Sequence, residues 1–396
     1  MSERAVSAPV EASEADRLVE TARSLRPRLA TLAGRDDRSA AYPAESIAML
    51  HEAGLLTATV GRDHGGPGLG HHGVHRLLLE LGQADPSAAL IATMTLAVHQ
   101  REATAPALPV EVYAAVLRES WERPTLLNSL QVEPALGTPS RGGVPATVAR
   151  RTPEGWRLSG HKIFSTGAPG LRFMLVLAAT DEPEPRVGSF VVDASSPGVT
   201  VVPSWAATGM RASRSDDVLF ENVLVPREWS MGLVPAGEGH ENATGPGTAI
   251  PSIYLGVAHA ARDWLISFLR ERVPANLGHP LIELPRFADE LGEMELRLTA
   301  ATDLVAALAR DADDAREVAR ASAWAAKITA QRVSTWVVQR AVSLIGNPGL
   351  STDNPLERHL RDVLCAGVHF PQEDTVLRML GGTAIRTPIT TTKGAP

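Results

Sequence analysis

The stretch PEGWRLSGHKIFSTGAPGLRFMLVLAA (153–179) lies near the middle of a 396-residue chain and reads as β structure. Pro153-Glu154-Gly155 is a turn signal between two strand-like runs. After it, Trp156, Leu158 and Gly160 alternate with Arg157, Ser159 and His161, the period of two that a strand requires. Phe173 to Ala179 is an unbroken apolar run of strand length, consistent with a buried strand. Phe190-Val191-Val192 and Val199 to Val202 read as two more. Short strands punctuated by Pro and Gly, from about 121 to 235, predict a small barrel or sandwich.

Both flanks read differently. From 14 to 120 the pattern is helical: Leu18, Ala22 and Leu25 share a face, Ile47, Leu50 and Leu55 do so loosely, and Leu77, Leu81, Ala88 and Ile91 continue after a loop at Gly65-Gly66-Pro67-Gly68. Toward the C-terminus the helical period returns. Leu291, Met294, Leu298, Ala301, Leu304 and Leu308 form one stripe, widened by Val305, and Ala325, Ile328, Val333, Trp336 and Val337 form another. Stripes this wide suit the core of a helix bundle. The expected class is α+β: an N-terminal helical domain (14–120), a middle β domain (121–235) and a C-terminal helical bundle (236–396).

Composition removes several functions. Hydrophobic residues make up 44% and charged residues 21%, so a packed core is expected rather than disorder. A net charge of -7 and a pI of about 6.0 argue against a nucleic-acid surface and against a polybasic membrane patch. With Cys365 as the single cysteine, an intramolecular disulfide and a cysteine-based zinc site are excluded. The longest apolar run, Ala88 to Val98, is too short for a membrane helix and is interrupted by Thr93 and Thr95. The start, MSERAVSAPVEASEADR, has no apolar core after a basic residue, so no secretory signal is read and a cytoplasmic protein is expected, with a frayed tail over the first dozen residues. GxGxxG after a strand, GxxxxGK[ST], GxSxG and HExxH are all missing. His71, His72 and His75 cluster, but no Cys, Asp or Glu completes a ligand set. They read as a solvated helix start beside the glycine loop, and no metal is expected.

Six segments carry a resemblance. HEAGLLTATVGRDHGGPGLG (51–70) is followed by QADPSAAL (83–90); QVEPALGTPSR (131–141), GHKIFSTGA (160–168) and GMRASRSDDVLFENVLVP (209–226) lie in the β region; LIGNPGLSTDNPLERHLRDV (344–363) lies near the end. In this order and spacing the chain resembles the acyl-CoA dehydrogenase superfamily. The resemblance implies N-terminal helices, a middle β-barrel and a C-terminal four-helix bundle. It also implies FAD, with FMN as the other flavin, bound between barrel and bundle, and a homotetramer. Onto this chain it carries Gln131, Glu133, Gly137, Thr138, Phe164, Ser165, Thr166, Arg272, Asn347 and Gly349 as cofactor-binding positions. Glu133-Pro134 with Gly137 suits a turn whose backbone approaches a ring closely, and an aromatic at Phe164 can cover a flavin face. Arg272 lacks the Phe-Gly that follows it in the family.

Acyl-CoA dehydrogenation needs a carboxylate to take the α-proton. By the resemblance its two places fall at Gly381, in LGGT (380–383), and near Pro246, and neither residue can do it. Glu373 is the neighbouring carboxylate that could substitute. The superfamily's flavin-dependent monooxygenases resemble the chain more closely here. Phe164-Ser165-Thr166-Gly167, WAATGMR (205–211), as in the dibenzothiophene monooxygenase type, and RDVLCAGVHFP (361–371) carry that likeness. It places His369 at the branch's active-site histidine, where an imidazole of pKa near 6.5 could serve a flavin C4a-hydroperoxide. Ser165 is a second candidate and His99, in LAVHQ, a third, its plainer reading being a helix residue lining the pocket. The expected reaction uses reduced flavin and O2 to hydroxylate an aromatic or polycyclic small molecule, with a flavin reductase as partner. Acyl-CoA dehydrogenation through an unusual base, and flavin binding without catalysis, are the alternatives.

Overall fold

The computed structural model describes residues 13–135, 143–237 and 247–386. The N-terminal layer is helical: α1 (Glu14–Ser39), α2 (Ala44–Glu52), α3 (His71–Ala84), α4 (Pro86–Thr104) and α5 (Val110–Glu122). A capping box starts α1, Ser13 and Asp16 satisfying each other's orphan groups. The apolar period running through Leu77 to Ile91 is not one helix. Asp85 breaks it: its carboxylate accepts from the Ala88 N–H at 2.9 Å and from Ser46 Oγ at 2.9 Å, and Pro86 opens α4.

The middle of the chain forms one sheet, among the described residues of eight strands. These are β1 (Leu126–Leu130), β2 (Val148–Thr152), β3 (Gly155–Ser165), β4 (Leu171–Thr180), β5 (Arg186–Asp193), β6 (Val199–Val202), β7 (Asp216–Val225) and β8 (Ser230–Pro235). Their order is β6-β7-β3-β2-β4-β5-β8, with β1 added parallel to β4. The turn read at Pro153-Glu154-Gly155 joins β2 to β3, Thr152 pairing Gly155. Gly155 has φ +144° and its backbone lies against the Val225 carbonyl, where a Cβ would not fit. The FMLVLAA run is β4, buried along nearly its whole length between β1, β2 and β5. Trp156 on β3 and Phe190 on β5 meet edge to face at 5.4 Å, although their strands are three places apart, about 14 Å in a flat sheet. The sheet therefore curls until its inner faces share a core, as a barrel does.

Among the described residues five helices follow: α6 (Ala249–Glu271), α7 (Pro285–Asp313), α8 (Arg320–Ile345), α9 (Leu356–Leu364) and α10 (Glu373–Arg386). The buried stripe of α7 runs Met294, Leu298, Ala301, Val305, Ala309; Leu304, read as core, is 39% exposed. Two adjacent apolar stripes exist on this helix, and the position of α6 and α8 selects one. The histidine cluster also differs from its reading. His75 is buried, not solvated: its Nδ1 lies 2.7 Å from Ser252 Oγ, whose own proton goes to the Thr248 carbonyl at 2.6 Å, so His75 Nδ1–H is the donor. Asp313, at the end of α7, accepts the His71 and His72 N–H groups and so caps α3. Among the described residues no helix is long and apolar enough to cross a membrane.

Candidate active site

Strand β3 ends in an unusual conformation. Phe164 has φ +56°, a left-handed backbone that a bulky residue adopts only when its surroundings impose it. Its ring is 59% exposed and stands edge-on to Trp205, 6.3 Å away at 82°. Ser165 is buried, and its Oγ has no hydrogen-bond partner among the described residues. Thr166 Oγ1 pairs with Ser215 Oγ at 3.0 Å, and its carbonyl accepts from Asn128 Nδ2 at 3.1 Å. Gly167, φ +74°, donates its N–H to the Ser213 carbonyl and packs so close to Ile91 of α4 that a Cβ would press on that side chain.

The loop before β7 carries Trp205 to α9. Asp216 accepts the Ser204 and Trp205 N–H groups, and the Trp205 indole N–H donates to the Met210 carbonyl at 3.0 Å. Met210 N–H then donates to Asp362 Oδ1 at 2.6 Å, and Arg361 donates to the Thr208 carbonyl. Gly209 lies so close to the Arg361 carbonyl that any side chain would overlap it. Asp362 is buried, and burial pushes its carboxyl up to about 6 despite Arg358 nearby.

Beyond α9 the chain turns back to α6. Tyr254 is 1% exposed, and its hydroxyl lies 2.7 Å from His369 Nε2. Burial, helped by the nearby Cys365 and Asp362, holds the phenol protonated well above its usual range. Burial also lowers the His369 imidazole to about 4, with Lys327 adding to the effect. The expected pKa near 6.5 is thus corrected: His369 is neutral at neutral pH, because the charged ring would lose its water. Phe164, Trp205, Met210 and Asp362 form one linked series across the seam between sheet and bundle, and Asp362 is near enough to the Tyr254–His369 pair to act on the phenol electrostatically.

Several expected positions lie elsewhere or are engaged. His99 is fully buried on α4, about 12 Å along the helix from Ile91, and its Nδ1 faces the Tyr113 hydroxyl at 3.1 Å. It packs beside Tyr113 of the side core under α5, and burial lowers it to about 4. The Glu133 carboxylate points inward, bound by Lys162 Nζ at 2.6 Å, by the Thr147 N–H and hydroxyl and by the Ala146 N–H. That makes its side chain a pin within the sheet rather than a ready cofactor ligand. Gln131 Nε2 donates to Ser129 Oγ. Arg272 caps the far end of α6, about 27 Å along the helix from Tyr254. Asn347 and Gly349 form a short turn after α8, Gly349 packed on the Val342 backbone. A single chain therefore does not bring Arg272 to Phe164. Gly137, Thr138 and Pro246 lie outside the described residues.

Comparison with known proteins follows the same three parts. Residues 13–103, 132–223 and 248–373 match the N-terminal, middle and C-terminal domains of acyl-CoA dehydrogenase. The putative acyl-CoA dehydrogenase YdbM of Bacillus subtilis is 31% identical over 355 residues, covering 89% of this chain and 92% of that protein. The chain belongs to the acyl-CoA dehydrogenase superfamily. Members of the superfamily are flavin-dependent oxidoreductases of more than one kind. The amino sugar nitrososynthase DnmZ of Streptomyces peucetius is 28% identical, covering 91% of this chain and 90% of its own. The crystal structure of a nitrososynthase from Micromonospora carbonacea var. africana superposes with a TM-score of 0.78 at 25% identity, over 96% of this chain and 98% of that one.

Superfamily membership sharpens one correction. Gly381, taken as the place of the dehydrogenase base, is exposed on the outer helix α10 with open space around it. It is not a wall of the seam, so its identity says nothing about the base. Glu373, the substitute considered, is tied to Arg332 and Gln331 of α8. The first turn of α6, Thr248-Ala249-Ile250-Pro251-Ser252, carries no carboxylate. Among the described residues no carboxylate hydrogen-bonds to the Tyr254–His369 pair. Sequence reasoning missed Tyr254, Asp362 and Lys327. The signal available for Tyr254 was a lone phenol in an apolar helical run two residues before GVAHAA.

Proposed function

We propose that this protein is a flavin-dependent monooxygenase that uses reduced flavin and O2 to oxygenate a small molecule. The observation that carries this reading is the 2.7 Å contact between the buried Tyr254 hydroxyl and the half-buried His369 ring, a neutral pair to which no carboxylate hydrogen-bonds among the described residues, the nearby Asp362 being bound by the Met210 N–H. The residues present fit a flavin, FAD or FMN. Phe164 holds an uncovered ring at the end of β3 beside Trp205, and the unpartnered Ser165 Oγ supplies a polar contact next to it. When bound and reduced, the flavin supplies the electrons that activate O2. The protein's part is protonic. Tyr254 stays protonated and His369 stays neutral, so the pair is joined along Nε2···Oη with no net charge and can offer a hydrogen bond to an adjacent oxygen without creating a buried charge.

The preferred substrate class is an aromatic or polycyclic small molecule. A second class, a primary amine on a sugar, is favoured by the likeness to the nitrososynthases along nearly the whole chain. A flavin reductase would supply the reduced flavin. Exposed Leu364, Val368 and Phe370 beside His369 suit contact with another subunit of a homotetramer.

Two measurements test the reading. Reduced holoprotein mixed with aerated buffer is expected to regain oxidised-flavin absorbance much more slowly than free flavin, and butyryl-CoA under argon is expected to leave the oxidised colour unchanged. His369→Ala should lower coupled oxygenation of a responsive substrate by about 100-fold or more while flavin affinity stays near wild type. Bleaching by the acyl-CoA under argon would overturn the proposal in favour of dehydrogenation, and no turnover in either assay would point to a binding protein without catalysis.

A further inference from the structure

We propose that Lys327 is a positioning residue for His369: its ammonium, buried on α8, ties down the backbone on both sides of the histidine. Lys327 is 6% exposed. Its Nζ lies 2.9 Å from the His369 carbonyl, 2.9 Å from the Pro371 carbonyl and 3.4 Å from the Ala366 carbonyl, with Gln331 Oε1 at 3.1 Å. A carboxylate is not among these hydrogen-bond partners. Glu373 is near enough to favour the charge without touching it, and a buried cation with no carboxylate in contact persists only where oxygen dipoles replace its water. Here those dipoles belong to the segment that carries His369.

The other anchors of that segment are the Tyr254–His369 hydrogen bond and the edge-on contact of Phe370 with Trp324 of α8. It runs from the short turn Cys365–Gly367 to the start of α10, and Val368 and Phe370 are 71% and 43% exposed. One and a third turns further along α8, Arg332 grips Glu373, so α8 holds both ends of the connection. Lys327 has no hydrogen bond to the His369 ring or to Tyr254; it acts by fixing the main chain from which the ring projects. The oxygenase reading enters only in explaining why the aim of that ring matters.

The test compares Lys327→Met, which keeps length and removes every donor, with Lys327→Gln, which keeps two donors on a shorter arm. The flavin-free protein carries isotope-labelled histidine. Ring resonances of His369 and hydrogen exchange across 365–371 are recorded, and peroxide release is measured separately with reduced FMN in air. In Lys327→Met, exchange in the segment should rise at least about tenfold and the His369 ring should lose its Tyr254-bonded signal, with amides of α6 and α8 unchanged. Lys327→Gln should fall between Met and wild type, and peroxide release should rise in the same order. Wild-type ring signals in both variants would overturn the proposal. So would an equal loss in both that spreads through α6 and α8, the mark of a merely structural role. If Lys327→Met does not fold, Lys327→Gln is read alone: a shifted ring signal with α6 and α8 intact supports the proposal, and a wild-type signal overturns it. Because exchange and ring signals are read without flavin, acyl-CoA bleaching would end the oxygenase reading and leave this one standing.

Discussion

At the scale of single residues, burial decides chemistry. The imidazole of His369 is ordinary by type, yet enclosure and the nearby Lys327 make it a neutral partner of Tyr254 instead of a group that titrates near neutrality. Glu133 and Lys162 show the opposite outcome, a buried pair that stays charged because the two side chains meet and Glu133 also accepts from the Thr147 hydroxyl. Removing one member leaves an uncompensated charge. Lys162→Met should cost about 3–5 kcal/mol in urea unfolding, and adding Glu133→Gln should recover part of it. A flavin affinity that fell with no loss of stability would return Glu133 to the cofactor. The sequence offered His369 through the RDVLCAGVHFP segment, and Phe164 and Ser165 through GHKIFSTGA, as the candidates on which the proposed function rests. His99 was misplaced for a physical reason. A helix delivers side chains on every face, and only the packing of Tyr113 against α4 shows that this one turns into a side core.

At the scale of elements, the site is held by three pieces distant in sequence: the end of β3, the loop carrying Trp205, and α9. Their junction is tightest at Gly209. Gly209→Ala would push the loop off the Arg361 carbonyl, separating Met210 from Asp362 and Trp205 from Phe164. We expect a loss of about 1–3 kcal/mol in thermal or denaturant unfolding from overpacking, with flavin binding weakened about tenfold or more. Wild-type flavin affinity would show that the loop does not shape the site. GMRASRSDDVLFENVLVP was readable as a segment resembling the family's, but the reason Gly209 must be a glycine was not. A glycine's need for space is a property of what lies opposite, here a carbonyl about 150 residues later in the chain. In the stripe of α7 only Leu304 faces outward, for the same reason: Leu304 and Val305 are equally apolar and only neighbouring helices choose between them.

At the scale of the whole molecule, the packed interior holds several uncharged imidazoles. Burial lowers His75, His99, His259 and His369 to about 4 and His359 to about 3. Each takes up a proton on unfolding between about pH 6.5 and its folded value, so stability rises with pH across that window and falls as pH drops through it. Each can contribute a slope of up to about 1.4 kcal/mol per pH unit. Asp362, raised to about 6, and Asp85, also raised, act in the opposite sense, because the folded state binds their protons more tightly than the unfolded chain does. The five imidazoles outnumber the two carboxyls. The midpoint of urea unfolding should therefore drop steeply from pH 6.5 to 4.5, and a flat profile would show that these rings are hydrated.

Local periodicity and short segments were enough to read the helix–sheet–helix order, the buried β4 and the superfamily, because a strand's alternation and a helix's stripe are written in neighbouring residues. The pairing of Tyr254 with His369, the grip of Lys327 on three carbonyls and the inward turn of Glu133 were not readable that way. Each joins atoms far apart along the chain, and both hydrogen bonding and burial depend on distance in space, which exists only once the sheet and the bundle have closed on each other.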